Sequence, residues 1–119
     1  MKSGTIVLLN GVSGSGKTTL AKALQERIPD PVFHVSFDAY LGQLHDKHFH
    51  EKTVLTREWP TIGRGFHDSV AATARAGNRV IVDHVLQYQD WLTECVQSWT
   101  GLTVVSVGVL SLFDVIQQR

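Results

Sequence analysis

One stretch of eight residues decides the fold of this chain: Gly11-Val12-Ser13-Gly14-Ser15-Gly16-Lys17-Thr18. It fits the pattern G-x-x-x-x-G-K-[ST] at each specified position, and this pattern builds a phosphate-binding loop, or P-loop. The glycines let backbone N–H groups point inward on a tight curve, Lys17 carries positive charge to the phosphates, and the Thr18 hydroxyl can ligate Mg²⁺. We expect these eight residues, together with Thr19, to bind the phosphates of a nucleotide.

The sequence on either side of the loop has the pattern that a P-loop requires. Residues 5–9 form a β-branched apolar run typical of a buried strand, and residues 18–28 carry leucine and isoleucine at helical spacing. A helix that begins at the loop adds the positive end of its dipole to the phosphate site. The alternative, a Gly/Ser turn that only joins two elements, is disfavoured by this order of strand, loop and helix.

The composition indicates one compact domain over residues 1–119. Of these 119 residues 43% are hydrophobic, and 11 Lys plus Arg balance 11 Asp plus Glu, so no excess positive charge favours nucleic acid or an anionic membrane surface. The single cysteine, Cys95, excludes an intrachain disulfide, and no apolar run has the length of a signal-peptide core or a membrane span. We expect a cytoplasmic protein, and its oligomeric state stays open.

Asp38 is the first catalytic candidate. The helix after the loop must end near Pro29 and Pro31, and a strand is predicted over residues 32–37. Two strands joined through a helix predict a parallel pair, whose carboxyl ends share the edge of the sheet at which ligands bind. Asp38 follows the second strand directly, which places it on the P-loop side of the domain. The alternative is that Asp38 only caps the next helix.

Residues 39–60 are the expected place for recognition of an acceptor substrate. Their mixed composition includes aromatic side chains, which can contact a small organic molecule. A partly helical excursion that packs these aromatics on the domain is an equal alternative. His45, His48 and His50 suggest a metal site, but their spacing fits neither usual short zinc signature and no cysteine lies nearby. A solvated histidine-rich loop is the preferred interpretation.

Asp83 is the second carboxylate predicted at the same edge. A helix is predicted over residues 62–76, with an apolar stripe that leaves His67 and Asp68 off the packed face. Residues 79–83 then form a buried strand that ends in Asp83. In P-loop enzymes an acid at the end of a neighbouring apolar strand holds Mg²⁺ directly or through water. The alternative is a turn residue at the end of a strand.

The rest of the chain extends a doubly wound parallel α/β sheet to four strands. Residues 91–99 form a helix with Cys95 on its apolar stripe, which favours a buried structural thiol over a nucleophile. Residues 103–109 form the fourth strand, and Ser111 and Asp114 begin a further helix with a capping-box-like pattern.

With these residues in place, the chain resembles the chloramphenicol phosphotransferase-like family of P-loop kinases, which is related in fold to shikimate and adenylate kinases. The resemblance rests on residues 6–18, 37–38, 74–79 and 80–86. It implies a P-loop kinase-type fold in which Asp38 acts as base on the acceptor hydroxyl, Lys17 binds the transferring phosphate and Thr18 holds Mg²⁺.

The chain departs from the family pattern in two places. His84 stands where family members often have a second acid, and the sequence ends at Arg119, where the family continues into a lid and a fifth strand. We therefore expect a C-terminally incomplete domain whose fourth strand is an exposed edge that could pair between chains.

The leading hypothesis is an ATP-dependent O-phosphotransferase with ATP and Mg²⁺ as cofactors and a hydroxyl of a small molecule as acceptor. The resemblance implies chloramphenicol or a similar compound, and hence antibiotic resistance. Asp38 and Lys17 are the expected catalytic residues, while Thr18 and Asp83 are the expected metal ligands. Two alternatives stay open: a nucleotide-binding module without catalysis, and a kinase of another small metabolite, as in shikimate kinases, because residues 39–60 do not identify the acceptor.

Overall fold

A computed structural model of the chain describes residues 1–12, 16–86 and 88–109. Three residues of the predicted phosphate loop, Ser13, Gly14 and Ser15, lie outside the described residues, and so does the helix predicted to begin at Ser111 and Asp114.

Strands and helices alternate along the described chain as the sequence predicts. The elements are β1 (Thr5–Asn10), α1 (Lys17–Arg27), β2 (Val32–Ser36), α2 (Phe37–Leu41), a 3-10 helix (Asp46–His50), α3 (Lys52–Arg75), β3 (Arg79–His84), α4 (Gln89–Ser98) and β4 (Thr103–Gly108).

The four strands form one parallel sheet in the order β2-β3-β1-β4. The predicted pairing of the first two strands is therefore wrong, because β3 lies between β1 and β2. Five of the six β3 residues are buried, and a parallel strand that is apolar on both faces is most stable inside the sheet with helices on either side. β4 is mostly exposed and lies at one edge of the described sheet, as predicted.

The two faces of the sheet carry separate hydrophobic clusters. Leu9 and Ile81 pack with Ala21 of α1 on one face, whereas Val80 and Val82 belong to the larger cluster under α3 and α4. Successive strand residues point to opposite faces. At the end of β3 this alternation separates two adjacent polar residues, 83 and 84, onto different faces.

Helix α3 begins ten residues before the predicted start at residue 62 and contains Pro60. A proline removes one helical hydrogen bond and usually ends a helix, so the sequence pattern did not indicate the first ten residues of α3, which are nearly three turns. Much of the segment 39–60 is thus helical, and Tyr40 and Trp59 pack against the core. The structure agrees with the alternative of a partly helical excursion that packs its aromatics on the domain.

The prediction that His67 lies off the packed face is wrong, because its side chain is fully buried. Helix α3 packs on both β3 and α4, so its buried face is wider than one stripe. That face consists of Gly63, Phe66, His67, Val70, Ala71 and Ala74. Asp68 is exposed, as predicted.

Gly63 allows α3 to approach the indole of Trp91 on α4. A Cβ built on Gly63 would lie 2.8 to 2.9 Å from three atoms of the Trp91 ring, closer than carbon atoms pack without strain. Trp91 is buried and its ring stacks against His84, so the indole cannot easily move away from an added methyl group. Gly65 differs, because the atom closest to its built Cβ is the hydroxyl at the end of Tyr40.

Among the described residues, no helix combines the length and the apolar composition that a membrane crossing requires.

We expect Gly63→Ala to destabilise the domain relative to Gly65→Ala by about 1–3 kcal/mol, the usual cost of overpacking a core. Both variants gain the same helix propensity of roughly 1 kcal/mol, so Gly65→Ala is a matched control whose neighbour can rotate away. Urea unfolding followed by tryptophan fluorescence measures both. Equal free energies of unfolding for the two variants would contradict the close packing of α3 against Trp91.

Candidate functional site

A cavity of about 540 Å³ opens at the carboxyl ends of the strands. Its walls come from the start of α1, from α2, from Trp59 on α3, from the end of β3 and from Trp91 on α4. The candidate residues Lys17, Thr18, Asp38 and Asp83 all line it. The structure therefore brings together the side chains that the sequence predicted to share this edge.

Lys17, Thr18 and Asp83 form one connected cluster, here called the phosphate side of the cavity. The Thr18 hydroxyl donates to Asp83 Oδ2 at 2.7 Å, and Lys17 Nζ lies 3.9 Å from Asp83 Oδ1. Lys17 Nζ also donates to the carbonyl oxygens of Gly11 at 2.6 Å and Val12 at 3.0 Å. Lys17 and Asp83 are both more than 90% buried. Asp83 lies within β3, so the alternative of a turn residue is wrong.

Thr18 and Asp83 on the phosphate side are the residues that could hold a metal ion. A carboxylate and a hydroxyl are oxygen ligands, and Mg²⁺ typically takes one or two protein ligands and completes its shell with phosphates and water. Among the described residues, which include His45, His48 and His50, no group of three or more His, Cys, Asp or Glu is arranged to hold a metal.

Gly16 shapes the entry into α1. It has φ 95°, a left-handed conformation that glycine adopts without strain, and it caps the helix. Within the described chain no side chain caps the first amides of α1. The N-terminus of this helix therefore presents backbone N–H groups and its positive dipole end toward the cavity, as an anion site requires.

His34 is a neighbour of Asp83 that the sequence analysis missed. Its Nε2 lies 3.5 Å from Asp83 Oδ2, too long for a good hydrogen bond, and it is buried without a hydrogen-bond partner among the described residues. The signal was present in the two-residue alternation of β2, which puts His34 on the same face as Val32 and Ser36. Because β2 lies beside β3, that face is also the face of Asp83.

Asp38 lies in the first turn of α2 and lines the cavity with an exposed side chain. The cap of α2 is Ser36, whose hydroxyl oxygen accepts from the backbone N–H of Ala39 at 3.1 Å. The alternative that Asp38 is the helix cap is therefore wrong. With the capping position filled by serine, the Asp38 carboxylate is available to a ligand in the cavity.

Three aromatic rings form a second wall, here called the aromatic side of the cavity: Phe37, Trp59 and Trp91. The Phe37 ring meets Trp59 and Trp91 edge-on, with centroids 5.5 and 5.1 Å away. Trp59 and Trp91 stack with centroids 5.8 Å apart. Asp38 lines the same cavity, which therefore combines a carboxylate with an apolar surface suited to a ring or alkyl group.

His84 faces away from the phosphate side, although it is adjacent to Asp83. Its ring packs against Phe37, Phe66 and Trp91, and its Nε2 lies 3.0 Å from Nε2 of His67. Burial, and then the nearby His67, lower the pKa of His84 to about 3. This imidazole is therefore neutral near pH 7, and the alternation of β3 places it with the aromatic side rather than with the metal candidates.

Cys95 is a structural thiol, as predicted. It is 2% exposed, and burial, together with the neighbouring Glu94, raises the pKa of Cys95 to about 12. A thiol that stays protonated and buried is a poor nucleophile.

The fold and this arrangement of side chains define a P-loop kinase-type α/β domain. The sequence profile described as chloramphenicol phosphotransferase-like protein matches residues 4–119. The chain belongs to the chloramphenicol phosphotransferase-like family, which confirms the resemblance that its motifs indicated.

The curated relatives found by sequence comparison are also named as phosphotransferases. Two relatives, one from each of two Mycobacterium tuberculosis strains, are both named as inferred O-phosphotransferases. Each is 27% identical to this chain over an alignment of 131 positions. The matches cover 92% of this chain and 58% of each relative. The chain thus spans little more than half the length of the curated relatives it matches.

Solved structures support the same architecture. A chain of the Pnkp1/Rnl/Hen1 RNA repair complex aligns with a TM-score of 0.65 and 22% identity, over 97% of this chain and 36% of that one. An unliganded sugar kinase from a Janibacter species aligns with a TM-score of 0.59 and 21% identity, over 97% of this chain and 64% of that one. At such identities the likeness shows the fold alone.

We expect the Cys95 thiol to resist iodoacetamide at about pH 8 in the folded chain and to react readily in urea, since only the unfolded chain exposes it and restores its ordinary acidity. Because this is the chain's single cysteine, the adduct mass reports on it without ambiguity. Labelling of the folded protein at the unfolded rate would show that Cys95 is accessible and contradict its structural role.

Proposed function

We propose that this chain is the nucleotide-binding and catalytic part of an ATP-dependent O-phosphotransferase that phosphorylates a hydroxyl of a small molecule. One observation carries the proposal: the Thr18 to Asp83 hydrogen bond of 2.7 Å, beside Lys17, lies in the same cavity as Asp38. Membership of the chloramphenicol phosphotransferase-like family supports a kinase-type reaction.

The phosphate side would hold the donor. Lys17 Nζ now donates to two loop carbonyls, and phosphate oxygens would be stronger partners for the same ammonium group because they carry full charge. Thr18 and Asp83 would hold Mg²⁺, which neutralises charge on the phosphates when bound. Buried Asp83, 3.9 Å from Lys17 Nζ, would also orient the ammonium group toward the phosphates.

The aromatic side would hold the acceptor. Phe37, Trp59 and Trp91 supply an apolar wall, and a cavity of about 540 Å³ is within the usual range for small-molecule sites. Asp38 would accept the proton of the attacking hydroxyl and orient its oxygen toward the phosphate side. Chloramphenicol, the acceptor that the family resemblance suggests, combines an aromatic ring with hydroxyl groups and suits such a wall chemically.

A nucleotide-binding module without transfer activity is the second candidate. It is favoured by the contacts of Lys17, Thr18 and Asp83, which would serve nucleotide binding with or without transfer. Binding of ATP without release of ADP in the presence of chloramphenicol would support this candidate over the enzyme.

We expect Asp38→Asn to leave the affinity for MgATP nearly unchanged and to lower kcat with chloramphenicol by about 10²-fold or more, because only the base is lost. Lys17→Ala should instead weaken MgATP binding as well as turnover, and so serves as the contrasting variant. A fluorescent ATP analogue measures affinity, and a coupled assay for ADP measures turnover. Equal loss of binding in both variants would refute the division between the phosphate side and Asp38.

A further inference from the structure

Asn10, the residue directly before the P-loop, bonds to a segment that lines the cavity. It is the last residue of β1, and its side-chain Oδ1 accepts a hydrogen bond from the backbone N–H of Leu86 at 3.1 Å. The two residues lie 76 positions apart in the chain. Val85, which precedes Leu86, lines the cavity. This bond therefore joins the start of the P-loop to one part of the cavity wall.

The partner determines which end of the Asn10 amide faces Leu86. A backbone N–H only donates, whereas an amide side chain has an oxygen that accepts and a nitrogen that donates. The oxygen must therefore face Leu86. Neither group titrates near neutral pH, so the bond does not depend on a protonation state.

The bond acts directly on the backbone beside Val85. The ladder between β1 and β3 ends at the pair of Asn10 and His84, and the Asn10 side chain extends it by one bond to Leu86. The Leu86 N–H belongs to the planar peptide unit that begins at the Cα of Val85. A bond to this N–H fixes the plane of that unit, and hence the position from which the Val85 side chain enters the wall.

The backbone of Asn10 is held by other contacts. It pairs in register with His84 of β3 and with Gly108 of β4. Its carbonyl oxygen accepts from the backbone N–H of Val109 at 2.8 Å. Loss of the side-chain oxygen should thus leave β1, and with it the first residue of the P-loop, in place.

We propose that Asn10 is a positioning residue for the acceptor substrate, because it fixes the peptide unit between Val85 and Leu86 and so keeps Val85 in the cavity wall. The inference rests on the proposed function. Val85 would contact the bound acceptor, and Asn10 acts through it. Without the bond this peptide unit would be free to rotate, and the acceptor would lose contacts with the wall while Lys17 and Asp38 keep their places.

Asn10→Leu and Asn10→Asp separate this role from other effects of substitution. Leucine has the branched shape of asparagine but no acceptor, whereas aspartate keeps an oxygen at the position of Oδ1. With saturating MgATP, Asn10→Leu should raise the KM for chloramphenicol by roughly three- to tenfold, the effect of one hydrogen bond, and leave kcat nearly unchanged. Asn10→Asp should keep the wild-type KM. A wild-type KM in Asn10→Leu, or the same increase in both variants, would overturn the proposal.

Asn78→Leu is the matched control for a general loss of stability. Asn78 Nδ2 donates to the carbonyl oxygen of Thr73 at 3.0 Å, so this variant also removes a bond between an asparagine side chain and the backbone. Asn78 directly precedes β3 and thus lies at the opposite edge of the sheet from the cavity. Its substitution should not change the KM for chloramphenicol. An increase equal to that in Asn10→Leu would attribute the effect to stability and overturn the proposal.

The cavity wall can also be observed without any acceptor. In methyl NMR spectra of the valine-labelled chain, assigned with Val85→Ile, the Val85 resonances should shift in Asn10→Leu and keep their wild-type positions in Asn10→Asp. Val70, which is buried on α3, is the internal reference. If Asn10→Leu does not fold, Asn10→Ala takes its place. Wild-type Val85 resonances in the variant without the acceptor oxygen would overturn the proposal, whatever the activity.

Failure of the proposed function gives a different result. If chloramphenicol yields no ADP with the wild-type chain, the O-phosphotransferase assignment with this acceptor fails, and the NMR spectra alone decide the role of Asn10. A shift of Val85 in Asn10→Leu but not in Asn10→Asp would then support Asn10 as the residue that positions this wall. The same Val85 spectrum in all chains would overturn that role.

Discussion

The hydrogen bond from the Thr18 hydroxyl to Asp83 is the interaction on which the rest of this site depends. It joins the first turn of α1 to the end of β3 at 2.7 Å and holds a buried carboxylate 3.9 Å from the Lys17 ammonium group. Burying a charge without a partner of opposite sign costs free energy, and Asp83 supplies that partner for the buried Lys17. The contact therefore joins helix α1 to strand β3 beside the Lys17 ammonium group.

The alternation of side chains along β3 divides the site into two chemistries. Asp83 faces α1 and the phosphate side, while His84 faces α3 and α4 among aromatic rings. A single strand end thus serves both a charged region, suited to a metal and phosphates, and an apolar one, suited to an organic acceptor. Asp38, in the first turn of α2 after β2, lines the same cavity.

Local patterns predicted much of this arrangement. The P-loop, the helix after it, Asp38 and Asp83 follow from motifs and from the rule that parallel strands share a ligand-binding edge. The strand order, the early start of α3 and the burial of His67 did not follow, because each is decided by tertiary packing that overrides local preference. The contact between His67 and Glu94 joins residues that lie 27 positions apart in the chain. The periodic spacing of apolar residues predicts helices and strands but not contacts between distant residues.

The central claim is that Thr18 and Asp83 form a site for a nucleotide-bound metal. Calorimetric titration of ATP into the chain, with Mg²⁺ and again with EDTA, tests it most directly, and Thr18→Val is the matched variant because it keeps the shape of threonine and removes the hydroxyl. We expect the wild-type chain to bind ATP more tightly with Mg²⁺ and the variant to lose most of that difference. Equal affinity of the wild-type chain for ATP in Mg²⁺ and in EDTA would contradict the account.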